Sequence, residues 1–309
     1  MKNVNEIQQN GLLWINIAKP EEKVLRTLQK RFSLTDQEIN ESMPSFQRPK
    51  FVKRESYYFL VLHFPVFNRV TRRLSFSEVD FFLSGSSLIT IHDNSLLAID
   101  SFFNECQKTV DLRSKYFQGT AAHLFFEVLN RLLESTFPML LHVNDDISAV
   151  DSDLFSKVPD QQMVKEILRL KTNVVTFRRS MQGHKTVLEH IVTSGGRELD
   201  LGSYQMYINT ARDHVTEIWH TLESQKESVD ALHETNESVS ALRMNEIMRT
   251  LTVISVVTFP LTLVATIFSI SAVDTPFVNL NYGFWIISGL VLVGALSMLA
   301  VFKAKKWID

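Results

Sequence analysis

Hydroxyl side chains recur at helical spacing through an apolar stretch near the carboxyl end of the chain. Residues 250–273 contain no charged side chain. Within and just before this stretch, one row of residues repeats every three or four positions, which places its members on a single face of a slightly supercoiled helix. The row consists of Asn245, Met248, Thr252, Ser255, Phe259, Thr262, Thr266 and Ser269.

The spacing alone leaves two interpretations of this polar face open. In one, each hydroxyl donates a hydrogen bond to the carbonyl four residues earlier, or supports packing between helices. In the other, several copies of the helix surround a pore and line it with hydroxyl oxygens. Two spans per chain are too few to enclose a wide pathway, so a pore requires a homo-oligomer.

The uncharged stretches predict a membrane hairpin with both chain ends in the cytoplasm. Residues 250–273 and 282–302 lack charges, and the first stretch reaches about 36 Å as a helix, enough to cross a hydrocarbon core. Basic residues flank the outer ends of the hairpin, and the loop at 274–281 has none. The positive-inside rule therefore places the loop outside and the tail at 303–309 inside. We expect a multi-pass protein of the cell inner (plasma) membrane.

Composition and motifs exclude several other classes of protein. The 309 residues carry a formal net charge of −2, which argues against a strongly basic nucleic-acid binder. The lone cysteine, Cys106, excludes an intramolecular disulfide framework and a zinc site built from several thiolates. The sequence has no phosphate-cradling glycine-rich loop, HExxH motif or nucleophile elbow, so we expect neither an enzyme nor a resident cofactor.

The residues upstream of the hairpin predict a mixture of strands and helices, so we expect an α+β membrane protein. An N-terminal cytoplasmic α/β domain (1–115) precedes a cytoplasmic helical hairpin (116–200), and heptad spacing predicts a stalk helix (201–249) that continues into the first span. The predicted strands are 12–17, 57–67, 74–83 and 87–92. The predicted helices upstream of the stalk are 20–32, 95–107, 119–155 and 161–192.

Motifs along the chain resemble the CorA family of divalent-metal transporters. The most specific are Asn245-Glu246-Ile247-Met248-Arg249-Thr250-Leu251-Thr252, Thr258-Phe259-Pro260-Leu261-Thr262 and the terminal Lys305-Lys306-Trp307. Trp14-Ile15-Asn16-Ile17 and Gln47-Arg48-Pro49-Lys50 are similar to the family's soluble domain. The resemblance implies a funnel-shaped homopentamer in which the first membrane helix lines the pore and the second packs outside it.

The resemblance also implies roles for individual residues. Asn245 and Thr262 correspond to polar pore rings, and Met248, Leu251 and Phe259 to hydrophobic constrictions. A basic ring is implied at Lys303, Lys305 and Lys306, and acidic helix tips at Asp145, Asp146, Asp151 and Asp153. Asp213 and Glu217 on the stalk are the candidates for a regulatory metal site.

The sequence departs from the family at the outer end of the pore helix. Where the family carries Gly-Met-Asn, this chain has Ser269-Ile270-Ser271, which we take as the position of the selectivity filter. Serine hydroxyls offer oxygens to a hydrated ion with a shorter reach than asparagine. In the extracytoplasmic loop Asp274 adds a carboxylate, and Asn279 and Asn281 add amide oxygens.

The functional hypothesis is a pentameric, channel-like pore for a divalent metal cation, magnesium or cobalt, driven by the membrane potential. Its partners are further copies of the chain, the lipid membrane and the transported or regulatory cation, with Mg²⁺ as the leading candidate. One alternative is a CorA-like pore of altered selectivity, for zinc, nickel or monovalent ions. The other is a membrane scaffold or sensor that does not transport.

Overall fold

The structure is a computed structural model that describes residues 4–43, 46–156, 161–194, 199, 201–269 and 282–305. The strands are β1 (Val4–Gln9), β2 (Leu12–Ala18), β3 (Lys50–Lys53), β4 (Tyr58–Asn68), β5 (Arg73–Leu83) and β6 (Ser87–His92). The helices are α1 (Glu22–Phe32), α2 (Asp36–Glu41), α3 (Leu97–Lys108), α4 (Val110–Tyr116), α5 (Ala121–Glu134), α6 (Phe137–Ser156), α7 (Gln161–Met181), α8 (His184–Ser194), α9 (Gln205–Ser269) and α10 (Gly283–Ala304). The chain divides into two compact units, residues 1–233 and 234–309.

The first unit is built around a mixed sheet with the strand order β1-β2-β6-β5-β4-β3. The pairing of β2 with β6 is parallel, and the other pairings are antiparallel. Every residue of β6 is buried, because apolar side chains cover both faces of the central strands. Such strands have continuous apolar sequences instead of an alternating pattern.

One face of the sheet packs against α1 and α2. The core there combines Leu25 and Leu28 of α1 and Ile39 of α2 with Phe59 and Ile91 of the sheet. Thr35 caps the N-terminus of α2, since its hydroxyl accepts a hydrogen bond from the backbone N–H of Glu38. This cap fixes the direction in which the chain enters the short helix above the sheet.

The opposite face of the sheet packs against α3 and α5. The ring of Trp14 in β2 lies 5.3 Å from that of Phe102 and 4.9 Å from that of Phe103, both in α3. Its indole N–H donates to the hydroxyl of Thr90 in β6 over 3.2 Å. Trp14 is fully buried, so its ring joins sheet and helix in one core.

The strands predicted from the sequence at 12–17, 57–67, 74–83 and 87–92 are confirmed as β2, β4, β5 and β6. The helices predicted at 20–32 and 95–107 are confirmed as α1, whose start is shifted by two residues, and α3, whose ends are shifted by two and one. The sequence reasoning did not predict β1, β3, α2 or α4. All four elements are short, with four to seven residues, and the polar sequence of β1 also has little apolar alternation.

Two long helices predicted in the hairpin region are wrong, because each is two helices in the structure. The predicted helix 119–155 breaks between α5 and α6, and Pro138 lies in the first turn of α6, where its missing N–H removes no hydrogen bond. The predicted helix 161–192 breaks between α7 and α8 at Gly183. A Cβ at Gly183 would collide with the ring of Pro49, so this close approach requires glycine.

Candidate pore-lining helix

The hydroxyls of the polar row all lie on α9, within the second unit. Four of them donate to the carbonyl four residues earlier, over 2.7 to 2.8 Å. The donors are Thr252, Ser255, Thr262 and Thr266, and the acceptors are the carbonyls of Met248, Leu251, Thr258 and Thr262. Each hydroxyl proton is thus held by the helix itself, and each hydroxyl oxygen keeps lone pairs that can accept hydrogen bonds from water.

The row is accessible along its whole length in the protomer. All its members are exposed except Ser255, which is half-buried. Thr262, Thr266 and Ser269 line a shallow groove of about 540 Å³ together with Thr258, Leu261 and Ala265. The face therefore presents hydroxyl oxygens at several levels along the helix.

Large apolar side chains interrupt the hydroxyls at the positions expected of constrictions. Met248, Leu251 and Phe259 are 53%, 56% and 73% exposed, and Asn245 is exposed one turn before Met248. Pro260 lies inside α9 and cannot donate to the carbonyl of Val256, which frees one backbone acceptor beside this row.

The two C-terminal helices have the length and hydropathy of membrane spans. Their most apolar windows have mean hydropathies of 2.2 in α9 and 2.3 in α10, and only 6% and 0% of those windows are buried. A core helix of a soluble protein would be mostly buried, so the exposed apolar surface fits a lipid environment. The helices meet at Gly294, where an added Cβ would lie 3.5 Å from the Leu261 side chain.

Several predicted site residues lie outside the described part of the chain. These are Ile270 and Ser271 of the filter position, Asp274, Asn279 and Asn281 of the loop, and Lys306 of the basic tail. Ser269 is the last residue of α9, Lys303 lies in the last turn of α10, and Lys305 caps that helix. The structure thus describes one residue of the filter position and two of the basic ring.

The candidates for a regulatory metal site, Asp213 and Glu217, lie one turn apart on α9 in the first unit, and both are exposed. No group of three or more histidine, cysteine, aspartate or glutamate side chains that could hold a metal ion occurs among the described residues. A metal at this pair would therefore need ligands from a second copy of the chain or from water.

One acidic residue that the resemblance placed at a helix tip is neutralised within the fold. Asp146 of α6 accepts hydrogen bonds from Arg72 over 2.7 Å and from Arg169 over 2.8 Å. Glu166 also pairs with both arginines. This network joins the β4–β5 turn to α6 and α7, and the sequence pattern does not predict it. Because two arginines neutralise Asp146, its carboxylate adds little to the negative charge of the helix tip.

Comparisons with known proteins agree with this architecture. The family model described as CorA-like Mg2+ transporter protein matches residues 9–306. The cobalt/magnesium transport protein CorA of Thermotoga maritima is 23% identical over 301 residues, which cover 96% of this chain and 83% of that protein. The structure of the CorA magnesium transporter from Methanocaldococcus jannaschii superposes with a TM-score of 0.80 at 18% identity, covering 98% of this chain and 94% of that one.

A second solved structure matches a smaller part of the chain. The ZntB cytoplasmic domain from Vibrio parahaemolyticus has a TM-score of 0.62 at 13% identity, covering 79% of this chain and 100% of that one. At such identities the structural likenesses establish the fold alone. They confirm the predicted α+β class, with an N-terminal α/β domain, a long helix and two C-terminal candidate spans.

Proposed function

The chain belongs to the family of CorA-like Mg2+ transporter proteins, and on that premise we propose that it conducts Mg²⁺ through a homopentameric pore lined by α9. Members of this family are channel-type transporters and not enzymes, and the chain is a metal-ion transporter of the membrane. The observation that carries the proposal is the accessible face of α9 on which hydroxyl oxygens recur at helical spacing, in a helix that is otherwise apolar enough to span a bilayer.

The hydroxyl geometry suits an ion that keeps its water. Mg²⁺ sheds its hydration shell reluctantly, so it is best passed along by groups that accept hydrogen bonds from its waters. Because the hydroxyls of Thr252, Ser255, Thr262 and Thr266 donate to their own helix, their oxygens face the pathway as acceptors. Cobalt is the second candidate ion, since the Thermotoga maritima relative is named for both metals.

The membrane potential supplies the driving force in this proposal. One elementary charge moving inward gains about 2.3 kcal/mol per 100 mV, and a divalent ion gains about twice that. The proposed topology places both termini in the cytoplasm of a cell with an inner (plasma) membrane, with the basic residues Lys303, Lys305 and Lys306 on the inner side. Asp213 and Glu217 are proposed as part of a regulatory divalent-metal site.

A single pair of helices cannot enclose the pathway, so the oligomer is part of the proposal. Five copies of α9 would bring five hydroxyls to each level of the row, with Phe259, Met248 and Leu251 forming apolar rings between them. Five copies of Asp274 would place a ring of carboxylates at the outer mouth, beside the amide oxygens of Asn279 and Asn281. Mass measurement of the detergent-solubilised protein tests the stoichiometry.

Ion flux into proteoliposomes, measured in parallel for Mg²⁺, Co²⁺, Zn²⁺, Ni²⁺ and K⁺, tests the proposed function. We expect Mg²⁺ flux that depends on an inside-negative potential. Zinc or nickel flux without magnesium flux would instead support a pore of altered selectivity, and Ser269-Ile270-Ser271 in place of Gly-Met-Asn would account for the change. If oligomeric protein of the expected mass conducts none of these ions, the proposal of transport is contradicted. A membrane scaffold or sensor would then be the remaining hypothesis.

Restoring glycine and asparagine at the filter position, Ser269-Ile270-Ser271, should change the ion selectivity. We expect the double variant Ser269→Gly, Ser271→Asn to raise the ratio of Mg²⁺ to Zn²⁺ flux by about tenfold, because a ring of longer amide side chains contacts the water shell of Mg²⁺ more closely. A tenfold change corresponds to about 1.4 kcal/mol, roughly one hydrogen bond. Ser238→Asn, on α9 outside the apolar stretch, is the matched control, and an unchanged ratio in the double variant would place the filter elsewhere.

A further inference from the structure

The last helix, α10, has two sides that differ in burial. Val291, Ala295 and Met298 are half-buried, and they lie on the side where Gly294 meets Leu261 of α9. On the other side, three leucines spaced by four and three residues share one stripe. They are 42% to 61% exposed: Leu292, Leu296 and Leu299. One side of α10 thus packs on α9, and the other presents a leucine stripe that no described residue covers.

The leucine stripe continues to a membrane-interface residue at each end. Trp285 lies seven residues before Leu292 and is 72% exposed, and Lys303 lies four residues after Leu299 and is exposed. The 18 residues from Trp285 to Lys303 correspond to about 27 Å of helix, close to the roughly 30 Å of a hydrocarbon core. Tryptophan and lysine are the side chains that reach the headgroup region. We call the set the outer stripe: Trp285, Leu292, Leu296, Leu299 and Lys303.

The Lys303 end of the outer stripe is positively charged. The Lys303 ammonium has no hydrogen-bond or ion-pair partner among the residues that the structure describes. Residues 247–269 and 283–305 contain only three charged side chains, and all are basic: Arg249, Lys303 and Lys305. The nearest acidic residue along α9 is Glu246, three residues before Arg249 and exposed. The local charge at this end therefore favours an anion.

The contact between the two helices places these basic residues at one membrane level. Arg249 is twelve residues before Leu261, and Lys305 is eleven residues after Gly294. These separations are about 18 Å and about 16 Å of helix. Because consecutive spans cross a bilayer in opposite directions, both side chains lie at the same end of the pair. Lys303 lies one turn or less from that level, so the three charges act on the same headgroup layer.

The length of the leucine stripe matches one leaflet. The eleven residues from Leu292 to Lys303 span about 16 Å, which is about half the thickness of a hydrocarbon core. An acyl chain lying along the three leucines would therefore bring its headgroup phosphate to the level of the Lys303 ammonium. Basic residues at the end of a span recognise anionic headgroups in this way.

We propose that the outer stripe binds an anionic phospholipid of the leaflet beside residues 303–305, with Lys303 donating hydrogen bonds to the headgroup phosphate and the three leucines contacting an acyl chain. A choline headgroup would add a positive charge beside Lys303, Lys305 and Arg249, so a zwitterionic lipid binds more weakly. The site lies within the second unit of one chain. It requires that α10 spans the membrane and does not depend on whether α9 conducts ions.

Native mass spectrometry of the delipidated full-length protein, titrated with phosphatidylglycerol or with phosphatidylcholine of the same acyl chains, measures this binding. We expect the wild type to bind phosphatidylglycerol at least about fivefold more tightly than phosphatidylcholine, and Lys303→Gln to weaken phosphatidylglycerol binding by about fivefold. Lys303→Arg keeps the charge and should bind as the wild type does. Lys108→Gln, which removes an exposed lysine at the end of α3, is the matched control and should change nothing.

The same spectra separate a lipid from a second copy of the chain as the occupant of the outer stripe. Leu296→Gln should weaken the binding of both lipids and leave the oligomer mass unchanged. A lower oligomer mass in Leu296→Gln would show that the stripe contacts another copy, and would overturn the proposal. Equal affinity of the wild type for the two lipids would overturn it too, as would undiminished phosphatidylglycerol binding in Lys303→Gln.

Discussion

Replacing Thr262 by lysine should reduce Mg²⁺ flux into proteoliposomes by at least about 100-fold. In the proposed pentamer the variant places five ammonium groups at one level of the pathway. A single charge about 6 Å from a divalent cation raises its energy by roughly 5 kcal/mol at an effective dielectric constant near 20. Each 1.4 kcal/mol is a factor of ten in rate, so even one lysine of the ring forms a barrier larger than the predicted loss.

The control for this variant keeps the hydroxyl. Thr262→Ser retains an oxygen at the same place and the hydrogen bond to the Thr258 carbonyl, so we expect its flux to stay within about twofold of the wild type. Both variants should elute at the wild-type oligomer mass. Flux in Thr262→Lys within tenfold of the wild type, from an intact oligomer, would show that Thr262 does not face the ion.

Trp14→Ala should destabilise the first unit by about 3 to 5 kcal/mol. The residue is fully buried, contacts the rings of Phe102 and Phe103, and satisfies its indole N–H at Thr90. Truncation leaves a large cavity and removes the hydrogen bond to Thr90. For a unit of this size the loss corresponds to a fall of about 10 °C in melting temperature, measured by circular dichroism on the full chain.

A matched truncation at the surface should have almost no effect. Val70, in the turn between β4 and β5, is 93% exposed, and Val70→Ala should shift the melting temperature by no more than about 1 °C. A shift of less than about 3 °C in Trp14→Ala would contradict the packing between the sheet and α3.

The parts of the fold that the sequence predicts well are those in which one physical signal dominates. The run from Tyr58 to Leu62 is apolar on both sides of the strand, and it lies in the buried part of β4. The row from Asn245 to Ser269 keeps its repeat over seven turns, and it forms one face of α9. In β4 the apolar pattern matches the burial of the strand, and in α9 the repeat matches one face of a continuous helix, so no competing signal obscures either pattern.

The two helix breaks that the sequence pattern does not predict depend on tertiary contacts, which a local pattern does not contain. Nothing next to Gly183 in the sequence shows that Pro49 packs against it, more than a hundred residues away. Pro138 on its own is compatible with a kink within a long helix, whereas the chain turns just before it and uses its fixed φ to start α6. Glycine and proline therefore mark the correct places, but only the tertiary structure decides what each does there.

The acidic residues of β5 show the same limit, since their burial does not follow from the strand sequence. In a half-buried strand, alternation would place Glu78 and Asp80 on the solvent side. In the structure α1 and α2 cover that side, and Asp80 becomes buried. A polar residue inside an otherwise apolar strand is the available signal, but its meaning depends on a layer of helices that the strand sequence does not specify.

Cysteine accessibility measures whether the hydroxyl face of α9 lines an aqueous ion pathway. The native Cys106 is buried, and burial raises the pKa of its thiol to about 12, so the thiol reacts little with thiol reagents. Cys106→Ala removes it without burying an unpaired hydroxyl. Single cysteines replace Ser255 or Thr262 on the row, or Val257, which lies about 200° around the helix from Ser255.

Proteoliposomes containing each variant are treated with a cationic, membrane-impermeant methanethiosulfonate, and Mg²⁺ flux is measured before and after. We expect labelling and a loss of flux of at least about tenfold for Ser255→Cys and Thr262→Cys, with less than a twofold change for Val257→Cys. Block at Val257→Cys with unaffected flux at both row positions would contradict it, as would failure of the reagent to label either row position in protein that conducts Mg²⁺.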